Sequence, residues 1–138
     1  MSFGANLHTG VGMKSILVVE DDPSIRGFLS LALGMSGYEV REACNGDDAL
    51  TVLTGWRPDA ILLDFDMPVM DGLAFCRAQQ ERPDVVDVPV ALMSGHHPML
   101  LEGVGEYLQK PFTVSALLAA LDSAIGRQKI GVMVAGMA

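Results

Sequence analysis

The fold of this chain is set by one segment, Asp59-Ala60-Ile61-Leu62-Leu63-Asp64-Phe65-Asp66-Met67-Pro68, in which an apolar run ends in a carboxylate. An uninterrupted apolar run between two prolines, Pro58 and Pro68, is typical of a parallel strand buried on both faces. Asp64 then lies where the strand leaves the sheet, and ligands of open α/β sheets bind at that edge. Because a buried acid is costly without a cation or hydrogen-bond donors, Asp64 predicts partners nearby.

A second apolar run, at residues 15–19, also ends in acids, here Glu20 and Asp21. If the two runs are neighbouring parallel strands, these acids meet Asp64 at one edge of the sheet. Carboxylates so close together raise one another's pKa unless a cation neutralises them, and oxygen ligands of this kind suit Mg²⁺. The alternative is that acids after a strand only cap the next helix, and Asp22, followed by a proline, is typical of such a cap.

Two later apolar runs end in groups that would complete a phosphoryl-transfer site. Residues 88–93 lead to Ser94, and the short run 106–109 leads to Lys110. A carboxylate nucleophile, metal-binding acids, a hydroxyl donor and an ammonium group are what is needed to place a phosphoryl group and to neutralise its charge. Each of these residues ends its own strand, so the ordered set predicts phosphoryl chemistry at Asp64.

Four motifs follow one another along the chain. They are Ile16-Leu17-Val18-Val19-Glu20-Asp21-Asp22-Pro23, Pro58-Asp59 through Asp71-Gly72, Pro89-Val90-Ala91-Leu92-Met93-Ser94, and Tyr107-Leu108-Gln109-Lys110-Pro111-Phe112. In this order they resemble the response-regulator receiver domain of two-component signalling, in its stand-alone, chemotaxis-regulator-like form. The resemblance covers residues 14–126 and is highly specific.

The resemblance implies a magnesium site and a phosphoacceptor. Asp64 would accept the phosphoryl group from a sensor histidine kinase or a histidine phosphotransfer protein. Mg²⁺ would be held by Asp21, by Asp64 and by the backbone carbonyl of Asp66, while Glu20 would act through a metal-bound water. The phosphorylated protein would then change its preference for a downstream protein partner.

The resemblance also assigns roles to three residues on the later strands. Ser94 and Lys110 would contact the phosphoryl oxygens, and the peptide bond between Lys110 and Pro111 would be cis, which is a minority state. The Ser94 hydroxyl would move toward the phosphoryl group while the Tyr107 ring turns inward, a two-state element biased by a local change in charge. The alternative for Tyr107 is an aromatic ring that simply covers the sheet edge.

Strand and helix alternate from residue 15 to residue 126, which predicts an α/β fold with a doubly wound, five-stranded parallel sheet. The flavodoxin-like strand order 2-1-3-4-5 is carried over from the family, which is a known example of that order. We expect Gly37 to end the first helix and Thr113 to cap the last. Helical spacing predicts buried faces made of Ile25, Phe28, Leu29, Ala32 and Leu33 in the first helix and of Val114, Leu117, Leu118, Leu121 and Ile125 in the last.

The chain departs from the family between Ser94 and Lys110. Only fifteen residues lie there, which is too few for a loop, a strand and a full helix. We therefore predict a shortened or irregular fourth helix around Met99 to Glu102. Receiver domains use this region to bind partners or to dimerise, so we expect a different docking mode and a monomer.

Two residues beside the site are candidates for setting the lifetime of the phosphorylated state. Asp66 lies two residues beyond the acceptor and could orient water, and His96, two residues beyond Ser94, could reach the phosphoryl group. The alternative is that both side chains face solvent.

The composition of the 138 residues limits the remaining function classes. A net charge of −8 and a pI near 4.6 argue against binding to nucleic acid. No apolar run approaches the length of a membrane helix, and no secretory signal is evident, so we expect a cytoplasmic protein. We read residues 1–13 as a disordered extension, 14–126 as the receiver domain and 127–138 as a tail in which positive charge closes the last helix.

Three functions remain open, and the favoured one is the phosphorylatable switch. A docking module of the same fold that no longer needs phosphorylation is a second. A phosphohydrolase is a third, because Asp64-Phe65-Asp66 resembles the Asp-x-Asp nucleophile and acid of haloacid-dehalogenase-type enzymes. That family carries its Asp-x-Asp on the first strand, and this chain has no room for a substrate cap. We therefore expect a self-phosphorylating and autodephosphorylating receiver without a separate substrate, not an enzyme in the usual sense.

Overall fold

The computed structural model describes residues 12–95 and 104–137. In chain order its strands are β1 Ser15–Val19, β2 Glu39–Ala43, β3 Ala60–Asp64, β4 Val90–Ser94 and β5 Val104–Gln109. Its helices are α1 Pro23–Met35, α2 Gly46–Val52, α3 Gly72–Gln80 and α4 Val114–Met137. The shortened helix predicted around residues 99–102 and the candidate residue His96 lie outside the described ranges.

The five strands form one parallel sheet in the order β2-β1-β3-β4-β5, so the predicted fold class and strand order are confirmed. Strand β1 pairs with β2 on one side and with β3 on the other, and Val18 lies opposite Glu42 and Leu62. All residues of β1, β3 and β4 are buried, as expected for central parallel strands covered on both faces. This order brings the carboxyl ends of β1 and β3 next to each other.

Helices pack on both faces of the sheet. Because alternate residues of a strand point to opposite faces, Leu17 belongs to a core cluster that includes Phe75 of α3, whereas Ile16 belongs to a cluster with Leu29 of α1 and Leu117 of α4. The core therefore lies in two layers, with α2 and α3 on one side of the sheet and α1 and α4 on the other.

Helix starts coincide with the capping residues that the sequence indicates. Asp22 Oδ1 accepts hydrogen bonds from the amides of Ser24 at 2.8 Å and Ile25 at 3.3 Å. Thr113 Oγ1 accepts one from the amide of Ala116 at 3.0 Å. Such caps satisfy backbone N–H groups that have no partner within the helix. Both predicted caps are confirmed.

The exposed side of α1 differs from the prediction. Leu29 and Leu33 are buried as expected, but Ile25 is 40 % and Phe28 57 % exposed. They continue into a stripe with Leu31 at 63 % and Met35 at 81 % exposed. Helix α1 is apolar on most of its circumference, so helical spacing alone does not show which side is buried. The prediction therefore places Ile25 and Phe28 in the core, whereas the helix turns both away from the sheet.

Helix α4 is longer than predicted. It continues through the segment 127–129, where positive charge predicts its end, and finishes at Met137. The bounds of β1, β3, β4 and β5 differ from the predicted ones by two residues or fewer; β5, for example, begins at Val104 instead of Glu106. Gly37, with φ of 96°, follows the end of α1 as predicted, in a left-handed conformation that glycine adopts readily.

The open edge of β2 carries charged and aromatic side chains. The guanidinium of Arg41 lies 4.5 Å from the centre of the Trp56 ring, and Glu39, Arg41 and Glu42 are exposed. Charged side chains on an edge strand discourage pairing with a further strand. Within the ranges that the structure describes, no helix has the length and apolar character needed to cross a membrane.

Candidate functional site

Three acids converge at the carboxyl edge of the sheet. Asp64 is the last residue of β3, Glu20 and Asp21 directly follow β1, and the two strands are paired. One carboxylate oxygen from each of the three acids lies within 4.8 Å of the other two. The convergence that the strand ends predict is therefore present.

Lys110 contacts two of these acids. The pairing of β4 with β5 places it beside Ser94, whose carbonyl accepts a hydrogen bond from the Lys110 amide at 2.8 Å. Its Nζ donates to Asp64 Oδ1 at 3.0 Å and lies 3.7 Å from Glu20 Oε1. The Lys110–Pro111 peptide bond is cis, as the resemblance implies.

Burial is the largest influence on the pKa of the two buried acids, Glu20 and Asp64. Glu20 is 1 % and Asp64 2 % exposed. Burial raises the pKa of Glu20 from 4.5 to about 7; the charge of Asp64 adds to this rise, while the Asp22 amide and Lys110 oppose it. Burial also raises the pKa of Asp64 despite the opposing hydrogen bond and charge of Lys110. The single lysine therefore compensates the two buried acids only in part.

Lys110 itself is held in its charged form. Burial lowers the pKa of the ammonium group, but the hydrogen bond and charge of Asp64, with the charge of Glu20, raise it by more. The outcome is a pKa above the usual value for lysine, so the site keeps one fixed positive charge beside the carboxylate of Asp64.

The donor set fits Mg²⁺. Among the described residues, Glu20 Oε1 is buried without a hydrogen-bond partner, whereas Asp21 is exposed to solvent. A buried carboxylate oxygen without a hydrogen bond is costly, and Mg²⁺ prefers one or two carboxylates together with waters and a phosphate. Two buried acids beside an exposed one therefore match a divalent cation that keeps a solvent-facing side.

Ser94 and Tyr107 lie on neighbouring strands. Ser94 is the last residue of β4 and is 6 % exposed. Tyr107, on β5 opposite Leu92, is half-buried and packs against the core cluster on the α2–α3 side of the sheet. The two residues therefore lie on paired strands, and their role as a switch stays a prediction.

Asp66 lies in the loop after β3 and is exposed. Its amide donates a long hydrogen bond of 3.4 Å to Asp64 Oδ1. Sequence reasoning overlooked Arg26, whose Nη1 donates to the backbone carbonyl of Glu20 at 2.8 Å. The only signal for it in the sequence is its position on the first turn of α1, shortly after the acids.

The order of the sheet, with acids, a hydroxyl and a lysine at its carboxyl edge, defines a receiver-type α/β protein. The family model of the response regulator receiver domain matches residues 16–122. The chain belongs to this family.

Curated relatives and solved structures agree with this assignment. The chain is 37% identical over 128 residues to the transcriptional regulatory protein PrrA of Mycobacterium tuberculosis, a match that covers 88% of this chain and 54% of the relative. It thus spans about half the length of the curated relatives it matches. The chemotaxis protein CheY4 of Vibrio cholerae is 31% identical, with a TM-score of 0.75 over 82% of this chain and 99% of that one.

One similar structure contains a metal ion. The receiver domain of a sensor histidine kinase from Pseudomonas aeruginosa PAO1, 29% identical with a TM-score of 0.75, has magnesium coordinated in its active-site cleft. The match covers 83% of this chain and 99% of that one.

Proposed function

We propose that this chain is a phosphorylatable switch of a two-component or phosphorelay system, with Asp64 as the phosphoacceptor. The observation that carries the proposal is the buried Asp64 carboxylate at the end of β3, hydrogen-bonded to Lys110 at 3.0 Å and grouped with Glu20 and Asp21. A buried acid that shares one lysine with a second buried acid is maintained at a cost. Such a cost is typical of a site kept for chemistry.

The reaction would be a transfer between two nucleophiles. An oxygen of the Asp64 carboxylate attacks the phosphorus of a phosphohistidine, the P–N bond breaks, and the electron pair leaves with the imidazole, which takes a proton. Lys110, already beside Asp64 Oδ1, and the hydroxyl of Ser94 would then contact the phosphoryl oxygens. Their donors offset the charge that the transfer places on those oxygens.

The same edge of the sheet would hold Mg²⁺. Asp21, Asp64 and the backbone carbonyl of Asp66 would be its ligands, and Glu20 would act through a metal-bound water. When bound, the cation supplies neutralisation of phosphoryl charge and fixes the orientation of the group. The grouping of three carboxylate oxygens within 4.8 Å supports this assignment.

The phosphorylated state would change the affinity for a partner protein through Ser94 and Tyr107. A local change in charge at the end of β4 would bias the position of the ring on the neighbouring strand. The donor would be a sensor histidine kinase or a histidine phosphotransfer protein. Although the relatives named above include transcriptional regulators, the net charge of −8 leads us to propose a protein and not a nucleic acid as the direct partner of this chain.

Intact mass spectrometry with acetyl phosphate and Mg²⁺ tests the proposal. We expect the wild type to gain one phosphoryl group that decays with time, and Asp64→Asn to gain none. Asp47→Asn, at an exposed position of α2, is the matched control and should behave as the wild type. Turnover of the donor without an adduct would instead support a phosphohydrolase. If a purified histidine kinase also failed to label Asp64, the switch would be refuted in favour of a docking module.

The lifetime of the adduct tests the two candidate rate-tuning residues. If Asp66 orients water and His96 reaches the phosphoryl group, Asp66→Ala and His96→Ala should each change the rate of adduct decay severalfold. Unchanged decay rates would remove both residues from the mechanism without affecting the role of Asp64.

A further inference from the structure

We propose that Arg26 is a positioning residue for the magnesium site, an inference that rests on the proposed function. The side chain extends from the first turn of α1 to the backbone of the loop that carries the acids. Its Nη1 donates to the carbonyl of Glu20 at 2.8 Å, and its Nε donates to Glu42 Oε1 on β2 at 3.3 Å. Arg26 thus connects a helix, the edge strand and the acidic loop.

The contact fixes one particular peptide group. The carbonyl of Glu20 belongs to the peptide that joins Glu20 to Asp21, so its orientation helps to set the backbone positions from which both acidic side chains extend. The amide of Glu20 is held separately, by the carbonyl of Ala43 at 3.1 Å. With both backbone groups of Glu20 bonded, the backbone of the loop cannot turn at Glu20 without breaking a hydrogen bond.

Electrostatics makes this restraint necessary. Glu20, Asp21 and Asp64 repel one another when ionised, and repulsion favours any loop conformation that separates them. A guanidinium group suits the task because its planar set of donors can bond a carbonyl and a carboxylate at the same time. The side chain of Arg26 is only 20 % exposed, so solvent competes weakly for these donors.

Arg82 provides a matched comparison at the opposite end of the sheet. Its guanidinium donates to the carbonyls of Leu50 at 3.2 Å and Leu53 at 3.5 Å and pairs with Asp84 at 3.3 Å. Arg26 therefore bridges one backbone carbonyl and one carboxylate, and Arg82 bridges two carbonyls and one carboxylate. If Arg26 only stabilised the fold, removing either arginine would have the same effect on Mg²⁺ affinity.

Calorimetric titration of the full chain with Mg²⁺ separates these roles. We expect Arg26→Gln to raise the Mg²⁺ dissociation constant about tenfold, the effect usual for groups that orient metal ligands. Arg82→Gln should leave it within about twofold even if both variants melt at lower temperature. Arg26→Lys, which restores one donor, should recover part of the affinity. Equal Mg²⁺ affinities in Arg26→Gln and wild type, or equal losses in both glutamine variants, would overturn the inference.

If Arg26→Gln does not fold, two milder substitutions provide the same test. Glu42→Gln weakens the outer anchor of Arg26, and Asp84→Asn weakens that of Arg82. We expect Mg²⁺ affinity to fall only in the first, and no difference between them would overturn the inference. A wild type that binds no Mg²⁺ would instead refute the proposed function, so the two failures are distinguishable.

Discussion

At the scale of single residues, the site is defined by an imbalance of charge. Glu20 and Asp64 are almost fully buried, yet within the described ranges Lys110 is the one cation seen to contact their carboxylates. Burial therefore raises the pKa of both acids, and Lys110 opposes this rise. A protein that keeps such a cluster loses stability when the acids ionise.

The stability of the metal-free protein should therefore depend on Glu20 and on pH. The pKa of Glu20 is about 7 in the folded state against an ordinary 4.5, so the folded state binds the extra proton between these values. This contribution to stability is present at low pH and is lost as the pH rises toward 7, by on the order of 1–3 kcal/mol. We expect Glu20→Gln to be more stable than wild type in EDTA, by a margin that grows from pH 5 to pH 7.5.

Urea unfolding followed by circular dichroism measures this margin. Glu39→Gln is the matched control, since Glu39 is exposed on β2 and the same substitution there removes a charge that costs the folded state little. A margin for Glu20→Gln that is the same at both pH values would contradict the raised pKa.

The residues of the site could be predicted because each ends its own apolar strand. Asp64, Ser94 and Lys110 need only parallel pairing to come together, and parallel pairing follows from strand and helix alternation. Arg26 could not be predicted in the same way. Its bond to Glu20 depends on the rotation of α1 about its axis, which no spacing in the sequence fixes.

At the scale of elements, α1 shows that hydrophobic periodicity does not always predict which face of a helix is buried. Leu29 and Leu33 face the sheet, while Phe28, Leu31 and Met35 are exposed. A helix that is apolar at most positions satisfies several amphipathic patterns equally well. Which of them is buried is decided by packing against the sheet and not by the helix itself.

Two identical substitutions on α1 test this division. Leu29 is 1 % and Leu31 63 % exposed, so Leu29→Ala leaves a cavity and should lower the free energy of unfolding by about 2–5 kcal/mol. Leu31→Ala should change it by less than about 1 kcal/mol. Thermal or urea denaturation of both variants measures the difference, and similar losses would mean that Leu31 is covered in solution.

Two helical glycines differ in the space that is available for a side chain. Gly46 begins α2, and a Cβ there would lie 2.7 Å from Met70 Cγ and 2.9 Å from the carbonyl oxygen of Met70. A Cβ added to Gly27, inside α1, would have open space around it to a distance of 4 Å. The first glycine is therefore required by close packing, whereas the second only lowers helix propensity.

The same substitution should accordingly have opposite signs at these positions. We expect Gly27→Ala to raise the free energy of unfolding by up to about 1 kcal/mol, the gain in helix propensity. Gly46→Ala should lower it by about 1–3 kcal/mol, because the loop that contains Met70 must shift. The measurement is the denaturation midpoint of each variant. If Gly46→Ala were more stable than the wild type, the loop that contains Met70 would be able to shift without loss of stability.

The predicted end of α4 is wrong because both sequence signals for it are energetically weak. Gly126 and the basic residues at 127–129 resemble a stop signal. A glycine inside a helix costs only about 1 kcal/mol, and positive charge near a helix end stabilises it without ending it. Neither signal is strong enough to terminate a helix, and α4 continues to Met137.

At the scale of the whole molecule, the two ends of the sheet differ in character. The carboxyl edge holds the acids and Lys110, whereas the amino edge is closed by contacts such as those of Arg82 with the carbonyls near the end of α2. Curated relatives extend well beyond the matched region, with the match covering 54% of PrrA. Within the described residues, the grouped acids and Lys110 therefore lie at one edge of this domain.

The position of the single tryptophan has a practical consequence for spectroscopy. Trp56 lies in the connection before β3 and stacks on Arg41 of the edge strand β2, and β1 lies between that strand and β3, which ends in Asp64. Its intrinsic fluorescence should report loss of the native fold and should be insensitive to Mg²⁺ at the acids. We expect a flat emission signal during a Mg²⁺ titration and a large change on denaturation. A change in emission with added Mg²⁺ would reveal that the edge strand β2 moves together with the acids at the carboxyl edge of the sheet.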